Sequence, residues 1–305
     1  MVVAKQSRMS LIEFQQKYTT IDACQSHLFE MKWSKGYFCA KCGHEQYYLT
    51  KSRRLALYEC KFCRYQATVT VGTVMEKTRT DLTKWFLAIF LVAQDKRGIS
   101  ATMLSEQISV TYKTAWLMLH KIRNAMGIRD GKYLLAGIVE LDDAFFGAPT
   151  EGGKRGRGTD KTKVLVGLSL NEKGNPLYVK IKVIPDVKSV TLVNFANDNI
   201  EDGSIISSDA YNSYQALSKQ NFMLKAKKYN PVKEPDHLKW LHTVISNAKA
   251  FIAGTFHGLD NKHLQAYLSE FCYRFNRRSF TGHLFNRLLS CCASVPTISY
   301  SELVG

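Results

Sequence analysis

Apolar positions along the chain change their period, and each change marks a different kind of element. From Thr80, the run TDLTKWFLAIFLVAQDKRG places Trp85, Ile89 and Val92 at helical spacing, with Thr80 or Asp81 at its start and Gly98 at its end. ISATMLSEQI then predicts a short helix, Ser109-Val-Thr a turn, and YKTAWLMLHKIRNAM a longer helix ending before Gly127. After Gly131 the texture turns to strands. LLAGIVELDDAFFG is a buried strand with a carboxylate-bearing end, and TKVLVGLSLN and PLYVKIKVI form a hairpin through the turn NEKGNP. VTLVNFANDNI is helical, and GSIISSDA is a further strand ending in an acid.

Helix, short turn and helix in that order make a helix-turn-helix arrangement. In its last helix Ala115, Leu119 and Ile122 pack inward, while Tyr112, Lys113 and the Thr114 hydroxyl occupy the first turn, where base edges are read; Lys121 and Arg123 remain for phosphates. Downstream, three strands, a helix, a strand and more helices match an α/β ribonuclease-H-like fold, which brings carboxylates from separate strands close together.

Cysteine spacing adds a metal site ahead of these elements. Cys39-x2-Cys42 and Cys60-x2-Cys63 flank residues 43–59, the pattern of a four-cysteine zinc ribbon, with YYLTKS and ALYE as strands of a small hairpin. Such a closed thiolate site leaves no open position for catalysis, so its zinc is structural. Cys24, Cys272, Cys291 and Cys292 have no partner spacing and read as small buried apolar groups. The expected layout is a helical segment over 1–35, a ribbon over 36–74, a helix-turn-helix over 75–130, an α/β domain over 131–292 and a tail over 293–305.

Charge then suggests a partner. The 305 residues hold 42 Lys+Arg against 26 Asp+Glu, a net charge of +16. Residues 1–135 carry 21 basic and 10 acidic groups, so most of the excess lies in front of the α/β segment. The basic residues are interleaved with apolar ones and therefore sit on folded surfaces facing a polyanion, double-stranded DNA in this setting. The longest apolar run, WFLAIFLVA, is half of the roughly 18 residues a membrane span needs. A cytoplasmic, nucleoid-associated protein with no membrane partner is expected.

Asp142 after GIVEL and Asp209 after SIISS emerge from apolar strands, where an unpaired carboxylate is costly. Together they suit divalent-metal phosphoryl transfer with Mg²⁺ or Mn²⁺. Glu140 shares the face of Asp142, and Asp143 faces away. Lys154, Arg155 and Arg157 lie in a glycine-rich loop that reads either as solvated or as a phosphate-contacting segment beside the acids.

GIVELDDAFFG, SSDAYNSY and HTVISNAKAFIAGTFHGLDNKHLQAYLSEFCYRFNRR resemble the transposases of the insertion-sequence 1595 family, over nearly the whole chain. The resemblance implies a zinc ribbon, a helix-turn-helix and a ribonuclease-H-like domain that cleaves and joins DNA, working as a homodimer on terminal inverted repeats. It also implies that Asp142 and Asp209 are the first two catalytic acids. The third place departs from the common glutamate. His242 stands seven residues before Lys249, on nearly the same helical face, whereas Asn247 offers the oxygen donor that Mg²⁺ prefers. Both stay open as candidates, with Lys249 on phosphate. Arg274, Arg277 and Arg278 either contact DNA or cap a helix C-terminus. The competing function is a DNA-binding regulator that keeps the catalytic domain only as a fold.

Overall fold

A computed structural model describes residues 9–147, 160–228 and 236–304. The chain divides into two compact units, one formed by residues 1–126 with 280–305 and the other by residues 127–279.

In the first unit, α1 (Leu11–Lys17) opens with a capping box, in which the Ser10 hydroxyl accepts from the Glu13 amide and the Glu13 carboxylate accepts from the Ser10 amide. Then come α2 (Ile21–Lys32), the antiparallel strands β1 (Tyr47–Thr50), β2 (Leu57–Cys60) and β3 (Gln66–Ala67), and the helices α3 (Leu82–Gln94) and α4 (Ala101–Gln107). α4 starts on a Ser100 side-chain cap, and Ser109 turns the chain with φ 50° into α5 (Tyr112–Gly131). Phe14 stacks on Phe90 at 4.4 Å and meets Phe285 edge-on at 5.6 Å, so an aromatic cluster ties α1 and α3 to α9 (Leu284–Ala293). α9 therefore groups with the first unit, although the expected layout ran the α/β domain to 292. Its apolar face, Phe285, Leu288, Leu289 and Cys292, finds its cover there. A last short helix, α10, spans Tyr300–Val304.

The helix expected to stop before Gly127 runs on to Gly131. A Cβ at position 127 would lie 3.0 Å from the Ser269 hydroxyl oxygen, so the glycine serves a close approach to α8 (Leu264–Asn276) instead of ending the helix.

The second unit is built on a five-stranded sheet in the order β6-β5-β4-β7-β8. β4 (Ile138–Phe146), β5 (Thr162–Leu170) and β6 (Pro176–Val183) are antiparallel neighbours, while β7 (Ile205–Ser208) and β8 (Met223–Ala226) run parallel to β4. This mixed order is that of the ribonuclease-H-like fold. β5 is apolar along most of its length because both of its faces are covered. Val139, Leu141 and Leu165 pack on α6 (Ser189–Asn199), and Val164, Val166 and Leu168 pack on α7 (Lys239–Thr255) and α8. Gly167 is the exception in β5, since a Cβ there would come within 2.9 Å of the Leu135 side chain. No helix among the described residues is long and apolar enough to cross a membrane.

Leu141 is fully buried beside Asp142. Leu141→Ala should lower unfolding free energy by about 2–5 kcal/mol, read as a lower midpoint in urea denaturation.

Candidate active site

The four cysteines come together through two matching knuckles. In the first, the Gly43 amide donates to the Cys39 carbonyl and the Cys39 amide to the His44 carbonyl; in the second, Arg64 donates to Cys60 and Cys60 to Tyr65. Both knuckles turn on a left-handed residue, Gly43 at φ 77° and Arg64 at φ 59°. Cys39 Sγ lies 3.6 Å from Cys63 Sγ, Cys42 Sγ lies 3.6 Å from Cys60 Sγ, and all four sulfurs are within 4.8 Å of one another. Four sulfurs at about 2.3 Å from a tetrahedral ion stand about 3.8 Å apart, so the donor set fits zinc. Burial opposes ionisation of Cys39, but the amides of Lys41 and Cys42 and hydrogen bonds from the Cys63 and Cys42 thiols outweigh it and bring this thiol down to about 6, while the neighbouring thiols push Cys42 up to about 12. Among the described residues no other cluster of three or more metal-ligating side chains is so close.

The acids are placed by the pairing of β4 with β7. Val139 pairs with Ile206 and Leu141 with Ser208 in parallel register, and both strands turn Val139, Leu141 and Ile206 into the core under α6. Carrying that register one residue further sets Asp209 beside Asp142, on the opposite face, at the roughly 4.8 Å spacing of neighbouring strands. β7 ends at Ser208, and the Asp209 carboxylate accepts from the Tyr211 amide as the chain turns into a 3₁₀ segment, Asn212–Lys219. The Asp142 side chain keeps only 17% of its exposure, and its Oδ1 accepts from the Asp143 amide at 2.8 Å. Asp143 takes the other face, where the buried Tyr214 hydroxyl donates to it at 3.4 Å.

α7 lies over the face that carries Asp142. Leu241, Val244, Ile245 and Ala248 bury its inner stripe, which leaves His242 and Lys249 on one flank and Asn247 on the other. His242 Nε2 is 3.5 Å from Asp142 Oδ2. This hydrogen bond raises the His242 pKa above its ordinary value, although partial burial works against it. Lys249 is exposed, with its ammonium 5.9 Å from the Phe146 ring on the same face of β4 as Asp142. Asn247 is exposed on the far flank, so of the two third-place candidates only His242 is brought to Asp142.

Glu140 has a part that the sequence pattern did not reveal. It is buried, and its Oε2 accepts from the Leu241 amide at 3.0 Å, at the start of α7. Burial raises its pKa, and the Leu241 amide offsets part of that effect. Only an apolar strand with three acids among four residues, 140–143, hinted at this, because the partner lies 101 residues away.

The basic residues separate into two groups. Tyr112 and Lys113 are exposed at the start of α5, and Thr114 is half-buried with its hydroxyl 3.0 Å from that of Thr111. Lys121 is half-buried, which lowers its pKa. Arg123, expected on phosphate, is only 2% exposed: it falls one turn beyond Leu119 on the inner face of α5 and is an interior residue. Arg274 is likewise interior, paired with the buried Glu270 at 2.6 Å, and Arg277 pairs with Asp130 at 2.7 Å. Arg278 donates to the carbonyls of Phe275, Leu177 and Pro176 and so closes the C-terminus of α8. These three arginines bind the unit to itself, and of them Arg278 meets the expectation of a helix C-terminal cap. Lys154, Arg155 and Arg157 lie outside the described residues.

Comparison with known proteins finds matches over the regions that hold the two sites. Residues 134–276 match an ISXO2-like transposase domain and residues 20–66 match a transposase zinc-ribbon domain, both of the same family. A protein of Halobacterium salinarum described as an uncharacterized protein in transposable element ISH50 is 29% identical over 157 residues. The match covers 51% of this chain and 51% of that protein, so the chain spans about half of the relative's length. Among solved structures, the Mos1 mariner paired end complex with Mn gives a TM-score of 0.28 at 15% identity, covering 68% of this chain and 78% of that one. A pre-cleavage Mos1 transpososome gives 0.27 at 13% identity, covering 94% and 98%. The two matched domains together take in well over half of the sequence and come from a single family. With a zinc-ribbon match and a transposase-domain match of the same family, the protein belongs to the transposases of the insertion-sequence 1595 family.

Proposed function

We propose that the protein is the DNA transposase of a bacterial insertion sequence, which binds terminal inverted repeats and carries out strand cleavage and strand transfer. The observation that supports this reading is the parallel register of β4 and β7, which continued one residue past Leu141 and Ser208 brings Asp209 beside Asp142 in the middle of β4, with His242 against Asp142. Carboxylate oxygens are the hard donors that Mg²⁺ or Mn²⁺ prefers. A divalent ion held there would supply Lewis-acid activation of a water or a DNA 3′-hydroxyl.

The chain's own groups have distinct parts in this reading. Asp142 and Asp209 concentrate negative charge at the edge of a basic protein. His242 holds one oxygen of Asp142 by a hydrogen bond, orienting the carboxylate, and an imidazole is a poor ligand for Mg²⁺. Lys249, seven residues on and on the same flank, is free to meet a phosphate near the acids. Tyr112 and Lys113 face solvent at the start of α5 and suit contact with DNA, while Lys121 and Thr114 contribute less exposed surface. Zn²⁺ on the four cysteines would hold the ribbon, which has little core of its own. Two element ends must be held together for strand transfer, so the working form is a homodimer on DNA, located at the nucleoid in the cytoplasm.

A second reading, a DNA-binding regulator, is favoured by one feature. With His242 in the third place the cluster has one carboxylate fewer than the usual triad, which weakens any second metal site.

Three measurements test the proposal. In a nicking assay on a labelled end duplex with Mg²⁺ or Mn²⁺, Asp142→Asn should lose cleavage by at least about 10³-fold while the gel shift of the duplex is unchanged; full cleavage by this variant would overturn the role given to Asp142, and a parent that only shifts the duplex would favour the regulator. His242→Ala should lower nicking by about 10–100-fold, whereas Asn247→Ala should stay within about threefold of the parent. Cys60→Ser should reduce bound zinc from about one ion per chain to a small fraction and speed amide exchange across β1 and β2, measured by metal analysis and hydrogen exchange.

A further inference from the structure

We infer that Glu140 is a positioning residue: from β4 it caps the N-terminus of α7 and so sets His242 against Asp142. The inference rests on the proposed function for its activity readout, and on geometry alone for the contact.

α7 begins without help from its own sequence. Leu238, in the cap position, has φ 55° and offers no side-chain acceptor to the first amides of the helix. Those amides need partners, because the first four N–H groups of any helix have none within it. The first bond within the helix runs from the His242 amide to the Leu238 carbonyl at 2.9 Å, and ahead of it the Lys239 amide reaches the Asp236 carbonyl at 3.3 Å. The Leu241 amide, at the third helical position, is met by Glu140 Oε2 at 3.0 Å. That is the amide a local Ser, Thr or Asp cap would ordinarily satisfy. Here the acceptor comes from a strand, and a carboxylate suits it because the helix N-terminus carries partial positive charge.

The consequence for the site follows from two periodicities. Glu140 and Asp142 are two residues apart on one face of β4, about 6.6 Å along the strand. Leu241 and His242 are consecutive in the first turn of α7. The buried stripe of α7 sets its rotation, and the hydrogen bond between Glu140 and Leu241 ties its first turn to one height along the strand. The 3.5 Å approach of His242 Nε2 to Asp142 Oδ2 depends on that setting. Glu140 is spent on the helix, and its part differs from that of a metal ligand.

Two substitutions separate cap from charge in the full-length protein. Glu140→Gln keeps an acceptor oxygen at the same reach and removes the charge. Glu140→Asp keeps the charge and withdraws the oxygen by one methylene. With Mg²⁺ and the labelled end duplex, Glu140→Gln should nick within about threefold of the parent. Glu140→Asp should lose about 10–100-fold in kcat with KM for the duplex unchanged. Hydrogen exchange gives a readout independent of activity: the Leu241 amide should exchange faster in Glu140→Asp and as in the parent in Glu140→Gln, with β4 and β5 protected in both. The His242 side-chain NMR shift should move only in Glu140→Asp. Loss of nicking in Glu140→Gln equal to that of Asp142→Asn would make Glu140 a ligand and overturn the inference. Unchanged Leu241 exchange and an unchanged His242 shift in Glu140→Asp would overturn it as well. A parent that does not nick would count against the proposed reaction, while the exchange and shift measurements would still decide the contact.

Discussion

β4 is hydrogen-bonded on both sides, to β5 along its whole length and to β7 over its first half, and the site depends on that confinement. A strand held on both edges can send its side chains in only two directions, alternating residue by residue. Val139 and Leu141 take one direction, into the core under α6, and are fully buried. Glu140, Asp142, Ala144 and Phe146 must take the other, towards α7. A polar pair is thereby forced beneath a helix, and each member is satisfied differently. Glu140 accepts from the backbone of α7, and Asp142 meets His242 at the point where the sheet opens. A shift of register by one residue would exchange the two sets and put carboxylates into the α6 core, so the apolar partners of Val139 and Leu141 also guard the placement of the acids.

The same economy governs the basic residues. A net charge of +16 invites the view that every Arg and Lys faces a nucleic acid, but several of the arginines are structural. Arg274 with Glu270 and Arg277 with Asp130 are near-buried pairs, and such pairs are expensive to form but costly to break. Arg277 also lies over the Tyr273 ring at 3.6 Å, and Arg278 over Phe275 at 4.2 Å. The guanidinium groups thus organise the end of α8, and the charge available to a polyanion is smaller than the formal count.

Legibility varied with the range of the interactions. The zinc ribbon was readable because its ligands fall in two short x2 spacings and each knuckle closes on itself within five residues. β4, β5, β6 and α6 were readable from period and turn residues, since strand alternation and helical spacing are local properties. Gly127 misled, because a glycine that ends a helix and one that admits a neighbouring helix look alike in sequence; only the approach of Ser269 tells them apart. Arg123 misled for a related reason, since its charge argued for the surface while its place one turn after Leu119 put it inside. The expected α/β domain over 131–292 took in α9, yet the apolar stripe of α9 is covered by α1 and α3.

By itself the sequence determined the order of elements and the four clustered cysteines, because each is encoded in spacings of a few residues; it read Asp142 as a strand end, whereas β4 runs on to Phe146. Tertiary structure decided which of two residues on α7 approaches Asp142. On the helix alone, His242 and Asn247 were equal candidates with opposing merits. Their difference arises because the stripe Leu241, Val244, Ile245 and Ala248 must be buried against the sheet, which turns one flank of α7 towards Asp142 and the other away. The rotation of a helix about its axis is fixed by what it covers, and no spacing within the helix records that.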